Sequence, residues 1–168
     1  ASPTPPRENF VKHPPHLDEH GHVHMVNVGE KPETDRLAIA EGHITLSAEA
    51  FDAIMSGSIP KGDVLAVARV AGIQGAKRTA DLIPLCHPIP LTGVSVTLTP
   101  DAERRTFTCR AEVRTFGRTG VEMEAMAAVS AALLTVYDMV KALDRAPAIE
   151  GIRLLEKRGG RSGTWTRE

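Results

Sequence analysis

The stretch from Thr119 to Asp144, TGVEMEAMAAVSAALLTVYDMVKALD, is the sequence feature that most constrains the fold. It has no proline and no glycine after Gly120, and it is rich in alanine, the residue with the highest helix propensity. Thr119 is followed three residues later by Glu122, the spacing of a capping box. The sequence therefore predicts a helix over Val121–Leu143, roughly 35 Å long and able to cross a small domain.

Winding this stretch as a helix separates two faces. One face is an apolar stripe formed by Met126, Val129, Leu133, Val136, Tyr137 and Val140. The opposite face is small and charged, and its members are Glu124, Ala127, Ala131, Asp138 and Lys141. A solvent-facing side normally carries many long polar side chains, so we expect a second subunit to approach the alanines or the neighbouring LIPLCHP segment, Leu82–Pro88. The simpler alternative is a core helix with an ordinary surface ion pair between Asp138 and Lys141.

The length and composition exclude several classes of protein. The 168 residues suffice for one domain with a proper core. The net charge is −1 and aromatic residues make up 4 %, which disfavours a nucleic-acid partner. Cys86 and Cys109 form neither a disulfide framework nor a CxxC pair. No apolar run approaches the length of a membrane span and no signal peptide is visible, so we expect a soluble, cytoplasmic protein.

The N-terminal region is unusual in its proline and histidine content. Residues 1–18 hold five of the twelve prolines and are expected to form a disordered arm before a single domain over 19–168. Histidines crowd the end of this arm at His13, His16, His20, His22 and His24. The last three alternate, so on a strand they would share one face, as metal ligands can. No cysteine or carboxylate spacing completes a site, and no metal is predicted there.

The rest of the chain alternates between strand and helix patterns. Strands are predicted at His22–Val28, Arg36–Leu46, Val94–Thr99, Thr106–Phe116 and Ile152–Glu156. Two further helices are predicted at Ala48–Met55, capped by Ser47, and at Val64–Thr79. Antiparallel strands with helices inserted between them predict an α+β fold, in which one sheet carries helices on one face.

The segment Leu82–Pro90, LIPLCHPIP, combines apolar residues with three prolines. Proline cannot donate to a β ladder, so we expect an irregular, buried and rigid wall. Cys86 and His87 are neighbours in an extended chain and point to opposite sides, which excludes a nucleophile–base pair. His87, held in this frame, is the strongest histidine candidate for a site, the alternative being an ordinary core histidine.

Several cations lie where they suit an anionic ligand. Lys61 precedes a predicted helix N-terminus, where a cation opposes the helix dipole and suggests a bound anion. Further cations flank turns or glycines, namely Lys77, Arg78, Arg158 and Arg161. No Walker loop or GxGxxG motif is present, which excludes the ordinary nucleotide folds. The residues alone predict lysine–carboxylate acid–base chemistry on a small anion, at a site lined by Lys61, His87, Glu124, Asp138 and Lys141.

The chain also carries a set of short motifs in a fixed order, namely Lys61-Gly62-Asp63-Val64, Ala71-Gly72-Ile73, Lys77-Arg78-Thr79, Leu82-Ile83-Pro84-Leu85-Cys86-His87-Pro88, Gly120-Val121-Glu122-Met123-Glu124-Ala125, Tyr137-Asp138-Met139 and Lys141-Ala142. Together these motifs resemble the MoaC family of molybdenum cofactor biosynthesis. The match runs from about His16 to Gly163, and LIPLCHP and GVEMEA together are highly specific. Two small departures are Asn27, where the family usually has Asp, and Arg161, where Lys is common.

The resemblance implies a ferredoxin-like subunit in a homo-hexamer, a trimer of dimers, with active sites at subunit interfaces. It implies a phosphorus–oxygen lyase that rearranges a cyclised dihydro-GTP intermediate to cyclic pyranopterin monophosphate and releases pyrophosphate. By resemblance, the catalytic residues are Lys61, Lys141 and Asp138. The residues that shape the site and bind substrate are His87, Glu122, Glu124, Lys77, Arg158 and Arg161. No cofactor is required, although Mg²⁺ can accompany the triphosphate.

Further expectations concern the charged groups. Arg158 and Arg161 are expected to bind the triphosphate rather than pair with protein carboxylates. A nearby cation and a helix N-terminus are expected to lower the pKa of Lys61, while Asp138 raises that of Lys141.

Two other classes of protein stay open from the residues alone. A metal-dependent hydrolase using His87, Glu122 and Glu124 predicts stoichiometric zinc in the purified protein. A non-catalytic small-molecule sensor predicts ligand binding without turnover.

Overall fold

The structure, a computed structural model, describes residues 14–168. Its elements in chain order are β1 (Thr34–Thr45), α1 (Ala48–Ser56), α2 (Val64–Lys77), α3 (Thr79–Leu82), β2 (Gly93–Asp101), β3 (Thr106–Gly117), α4 (Glu122–Val140), β4 (Ala148–Arg158) and β5 (Trp165–Thr166). The predicted first strand, His22–Val28, is wrong, because this segment is irregular apart from an isolated bridge between Leu17 and Val23. Most of the predicted arm lies outside the described residues, and the domain boundary at residue 18 stays a prediction.

The five strands form one antiparallel sheet in the order β2-β3-β1-β4-β5. The predicted hairpin is β2–β3, whose register runs from Gly93 opposite Arg114 to Asp101 opposite Thr106. The succession β1, α2, β2, β3, α4, β4 is the β-α-β-β-α-β arrangement of ferredoxin-like folds. The predicted α+β class is confirmed.

The two faces of the sheet differ in character because the strands alternate. On β3, Phe107, Cys109 and Ala111 are completely buried and face the helices, which is the period of two expected for a half-buried strand. The other face carries Arg–Glu pairs, such as the Arg153 guanidinium and the Glu41 carboxylate at 2.8 Å. Only side chains on the face that the helices cover can therefore reach the candidate site, which lies on that side of the sheet.

Helix α4 is the central core helix. Most of the predicted apolar stripe is buried, with Val129, Leu133 and Val136 at 0 % exposure. The predicted capping box is wrong, since the helix begins after Val121 without any side-chain cap, and Glu122 bonds elsewhere. By length and composition α4 could cross a membrane, but about half of it is buried inside the protein, which is the environment of a core helix.

Helix α2 covers the alanine face of α4. A Cβ atom placed on Gly75 would lie 2.7 Å from the Ala131 Cβ and 2.9 Å from the Ala127 carbonyl oxygen. Gly72 makes a similar approach to Val96 and to the Ala128 backbone. Glycine permits this contact because it has no side chain, so the two helix backbones approach closely. The expectation that a second subunit covers these alanines is wrong, because a helix of the same chain does. The alternative, an approach of a second subunit to Leu82–Pro88, stays a prediction.

The segment that leads from α3 into β2 is irregular, as predicted for Leu82–Pro90. It is not a buried wall, since Leu82 is 65 % exposed and its prolines lie at the surface. His87 and Ile89 are half-buried and line cavities beside α4. The segment therefore forms the rim of a site rather than part of the core.

Candidate active site

The predicted site residues separate into two clusters at opposite ends of α4. The amino-end cluster consists of His87, Glu122 and Glu124, and the carboxyl-end cluster consists of Lys61, Asp138 and Lys141. Glu124 and Asp138 are about 21 Å apart along the helix at 1.5 Å per residue. One chain alone thus does not bring all the predicted catalytic and binding groups together.

The carboxyl-end cluster is built around the carboxylate of Asp138. The Lys141 Nζ lies 2.8 Å from Asp138 Oδ1, and the Lys61 Nζ lies 3.3 Å from Asp138 Oδ2. Lys61 also donates to the backbone carbonyl of Asp138 at 3.1 Å. The pair within α4 follows from i, i+3 spacing, whereas Lys61 arrives because α2 packs along α4 and places its start near the end of α4. Tertiary packing therefore turns a surface pair into a group of two cations on one carboxylate.

The charges in this cluster are mutually stabilised. Hydrogen bonds from Lys141 and Lys61 lower the pKa of Asp138. The hydrogen bond to Asp138 raises the pKa of Lys141, as predicted. The contact with Asp138 thus favours the ammonium form of Lys141. The expected lowering of the Lys61 pKa stays a prediction.

The amino-end cluster lines a cavity of about 310 Å³ at the start of α4. Glu124 is only 4 % exposed, and burial, with a smaller contribution from the Glu122 charge, raises its pKa to about 7. The His87 Nε2 lies 2.6 Å from the carbonyl oxygen of Val26, in the irregular segment before β1. Burial and the Glu124 charge raise the pKa of the Cys86 thiol, which keeps this thiol protonated.

A second cavity of about 500 Å³ adjoins the first and is strongly basic. It shares Lys31 and Glu122 with the first cavity, and its remaining charged residues are Arg36, Arg118, Lys157 and Arg161. The Lys157 Nζ lies 3.1 Å from Glu122 Oε1, which is the partner that Glu122 takes in place of a cap. The sequence reasoning identified Arg161 but missed Lys31, Arg36, Arg118 and Lys157.

Arg158 does not belong to this basic cavity. Its guanidinium pairs with the carboxylate of Glu156 on the sheet face away from the helices. A register shift in β4, at Leu155, places Lys157 opposite Ala38 on the helix side and Arg158 opposite Leu37 on the outer side. The expectation that Arg158 stays free of protein carboxylates is wrong.

Lys77 lines a third cavity, which His87 also borders. A cavity of about 350 Å³ between the end of α2 and the segment after His87 is lined by Lys77, Arg78 and Asp81, together with His87 and Glu124. His87 and Glu124 thus border two cavities. Lys77 belongs to the amino-end half of the candidate site.

Within residues 14–168, no three histidine, cysteine, aspartate or glutamate side chains are grouped so that they could hold a metal ion. Two of the N-terminal histidines lie near carboxylates, His20 at 3.5 Å from Glu19 and His22 at 3.5 Å from Asp18. His13 lies outside the described residues.

The fold and the two clusters define a ferredoxin-like α+β protein with a lysine–carboxylate cluster at one end of α4 and a basic cavity at the other. The chain belongs to the MoaC family, whose model matches residues 25–160. It is 58 % identical over 153 residues to the cyclic pyranopterin monophosphate synthase of Thermomicrobium roseum, covering 91 % of this chain and 92 % of that protein. It is 57 % identical over 148 residues to the protein of the same name from Cereibacter sphaeroides (strain KD131), covering 88 % and 93 %.

Glu124 gives the protein a pH-dependent stability that can be measured. Its pKa rises on folding from 4.5 to about 7, so over this range the folded state keeps a proton that the unfolded state releases. The free energy of unfolding therefore falls as the pH rises through this range and then stays level. Glu124→Gln lacks this titrating carboxyl group. The variant is therefore expected to lose the fall in the free energy of unfolding, which is roughly 2–3 kcal/mol. Urea unfolding at about pH 5 and about pH 8 checks this, and an unchanged pH dependence in the variant would contradict it.

Proposed function

We propose that this protein is a cyclic pyranopterin monophosphate synthase, a lyase of molybdenum cofactor biosynthesis. It converts a cyclised dihydro-GTP intermediate to cyclic pyranopterin monophosphate and releases pyrophosphate. The observation that carries the proposal is the likeness to synthases of that name over about nine-tenths of the chain. The lysine–carboxylate cluster and the basic cavity supply the acid–base groups and the phosphate site that such a reaction needs.

The direct test is to supply the purified protein with the cyclised dihydro-GTP intermediate. The expected products are pyrophosphate and a cyclic pyranopterin monophosphate, measured by coupled assay and by mass spectrometry. Binding of the intermediate without either product would favour the sensor alternative. Activity that a chelator abolishes in the absence of added Mg²⁺ would favour the metal-dependent hydrolase.

The carboxyl-end cluster is assigned the proton transfers. Lys141 begins protonated and acts as the acid, because Asp138 holds its ammonium in place at 2.8 Å. Lys61 shares the same carboxylate and is the second group able to exchange a proton with the substrate. Asp138 keeps both amines oriented and, with its lowered pKa, stays charged throughout.

The basic cavity is assigned the triphosphate. Five cations face it against the single carboxylate of Glu122, so an anion with several negative charges restores the balance. Arg36 is held in place by bonds from its Nε to the Gly117 carbonyl at 3.3 Å and from a terminal nitrogen to the Arg118 carbonyl at 3.2 Å. Such a fixed guanidinium suits phosphate oxygens, with or without Mg²⁺ on the triphosphate.

Lys157 and Arg158 provide a matched test of the phosphate site. They are adjacent cations on opposite faces of β4, and only Lys157 faces the basic cavity. Lys157→Ala is expected to raise the dissociation constant for pyrophosphate about tenfold, because one charged hydrogen bond is lost. Arg158→Ala, with the same charge change, is expected to change it less than about twofold. Isothermal titration checks both, and equal effects in the two variants would contradict the assignment.

The distance between the two clusters bears on assembly. The two clusters of one chain lie about 21 Å apart along α4, so a single substrate molecule cannot contact both of them at once. We therefore infer that each complete active site combines the amino-end cluster of one subunit with the carboxyl-end cluster of another, in a homo-hexamer. The division of the site supports this assembly, whereas the alanine face of α4 does not, because α2 of the same chain covers it.

A further inference from the structure

We propose that Arg167 is a positioning residue for the phosphate site, because it holds the bulge in β4 that turns Lys157 into the basic cavity. Arg167 directly follows β5, the strand at the edge of the sheet. The inference rests on the proposed function, which assigns this cavity to the triphosphate. It concerns a residue that lies beyond the range matched by the family model, 25–160.

The first step concerns the bulge itself. Two adjacent residues of β1 pair with Leu154 and Glu156, so Leu155 is an extra residue between two consecutive pairs. A bulge of this kind bends the strand and changes the face on which the following residues lie. Here it places Lys157 on the helix side, where its Nζ lies 3.1 Å from the Glu122 carboxylate at the basic cavity. A contact that stabilises the bulge therefore also fixes the direction of Lys157.

The second step concerns the two carbonyl groups at this bulge, both of which accept hydrogen bonds from Arg167. Its backbone N–H donates to the Leu155 carbonyl oxygen at 2.8 Å, and its Nε donates to the Leu154 carbonyl oxygen at 2.6 Å. In a regular strand consecutive carbonyl groups point to opposite edges, so one residue could not reach both. The pair of bonds is thus specific to the bulged strand, and straightening the strand would break one of them.

The third step concerns what orients the guanidinium of Arg167. Its central carbon lies 5.6 Å from the centre of the Trp165 ring, which is a cation–π contact. Trp165 pairs directly opposite Lys157 in the register of β4 and β5, so these two side chains lie on the same face of the sheet. Strand β5 has only two residues, and the bonds of Arg167 extend its contact with β4 as far as the bulge. Arg167 accordingly ties the end of the chain to the strand that carries Lys157.

Two substitutions of nearly equal size separate the hydrogen bond of Arg167 from its charge. Arg167→Gln places an amide nitrogen at the position of Nε, so it keeps a donor for the Leu154 carbonyl. Arg167→Met places a methyl group there, and both variants lose the same charge and keep the backbone N–H. We expect Arg167→Met to raise the dissociation constant for pyrophosphate about three- to tenfold, and Arg167→Gln to change it less than about twofold. Isothermal titration measures both, and equal effects in the two variants would overturn the proposal.

A double variant tests whether Arg167 acts through Lys157. Lys157→Ala removes the cation that the bulge directs, so adding Arg167→Met to it is expected to weaken pyrophosphate binding no further. Effects that add in full would show that Arg167 acts independently of Lys157, which contradicts a positioning role.

Hydrogen exchange gives a readout that needs no ligand. The amides of residues 154–158 are expected to exchange faster in Arg167→Met than in Arg167→Gln, because only the methionine variant loses the bond to the bulge. Equal exchange in the two variants would also overturn the proposal. Absence of pyrophosphate binding by the wild-type protein would instead refute the phosphate site of the proposed function, on which this inference rests.

Discussion

Lys141→Ala and Lys61→Ala are each expected to give a folded protein whose turnover has fallen by about 10²- to 10⁴-fold, the usual contribution of a positioned acid or base. Both side chains are about half exposed and neither belongs to the core, so the substitutions remove charge without opening a cavity. Lys141→Ala removes the proton donor, and Lys61→Ala removes the second cation on Asp138. Steady-state kinetics with the cyclised dihydro-GTP intermediate, alongside circular dichroism, checks both.

Arg104→Ala is a suitable control for the loss of a surface cation. Arg104 is highly exposed at the β2–β3 turn, where its only ion pair among the described residues is with Asp101. Its substitution is expected to leave turnover unchanged. Near-normal turnover in either folded lysine variant would remove that lysine from the mechanism. Loss of folding in a lysine variant would show that its contact with Asp138 is structural.

Mixing two inactive variants is expected to restore activity if each site is shared between subunits. Lys141→Ala damages the carboxyl-end cluster and His87→Ala damages the amino-end cluster, so each is expected to be nearly inactive alone. In hexamers that contain both chains at random, about a quarter of the sites combine two intact clusters. Co-expression with two different tags, followed by tandem purification and assay, measures the recovery.

The matched control is a mixture of Lys61→Ala with Lys141→Ala. Both changes lie in the same cluster, so every shared site in the mixed hexamer carries one of them and no recovery is expected. Recovery absent from both mixtures would show that a site does not combine clusters from two subunits. Light scattering that finds a monomer at micromolar concentration would exclude the assembly altogether.

Local sequence patterns accounted for most of the secondary structure. Period-two alternation located the β2–β3 hairpin, and the alanine-rich stretch located α4, whose stripe Val129, Leu133 and Val136 is buried. The same reasoning failed for His22–Val28, where two valines alternate but where, among residues 14–168, only Val23 pairs, in an isolated bridge with Leu17. A strand needs a partner, and its own sequence does not supply one.

The candidate site was predicted best where its members are close in the chain. Asp138 and Lys141 are three residues apart on one helix, so their contact follows from helix geometry. The arrival of Lys61 at the same carboxylate depends on how α2 packs along α4, which the spacing in the sequence does not specify. The motif resemblance named all three residues without showing their contacts.

The sequence by itself determined the elements, the core stripe of α4 and the residue types of the site, because these follow from propensities and periodicities over a few neighbouring positions. Tertiary structure alone decided that α2 covers Ala127 and Ala131, since this depends on Gly75 meeting a distant helix. It also decided that Lys157 and not Arg158 faces the basic cavity. Simple alternation from Leu154 would place Arg158 on the helix side, but the register shift at Leu155, fixed by pairing with β1, reverses the faces of the residues that follow.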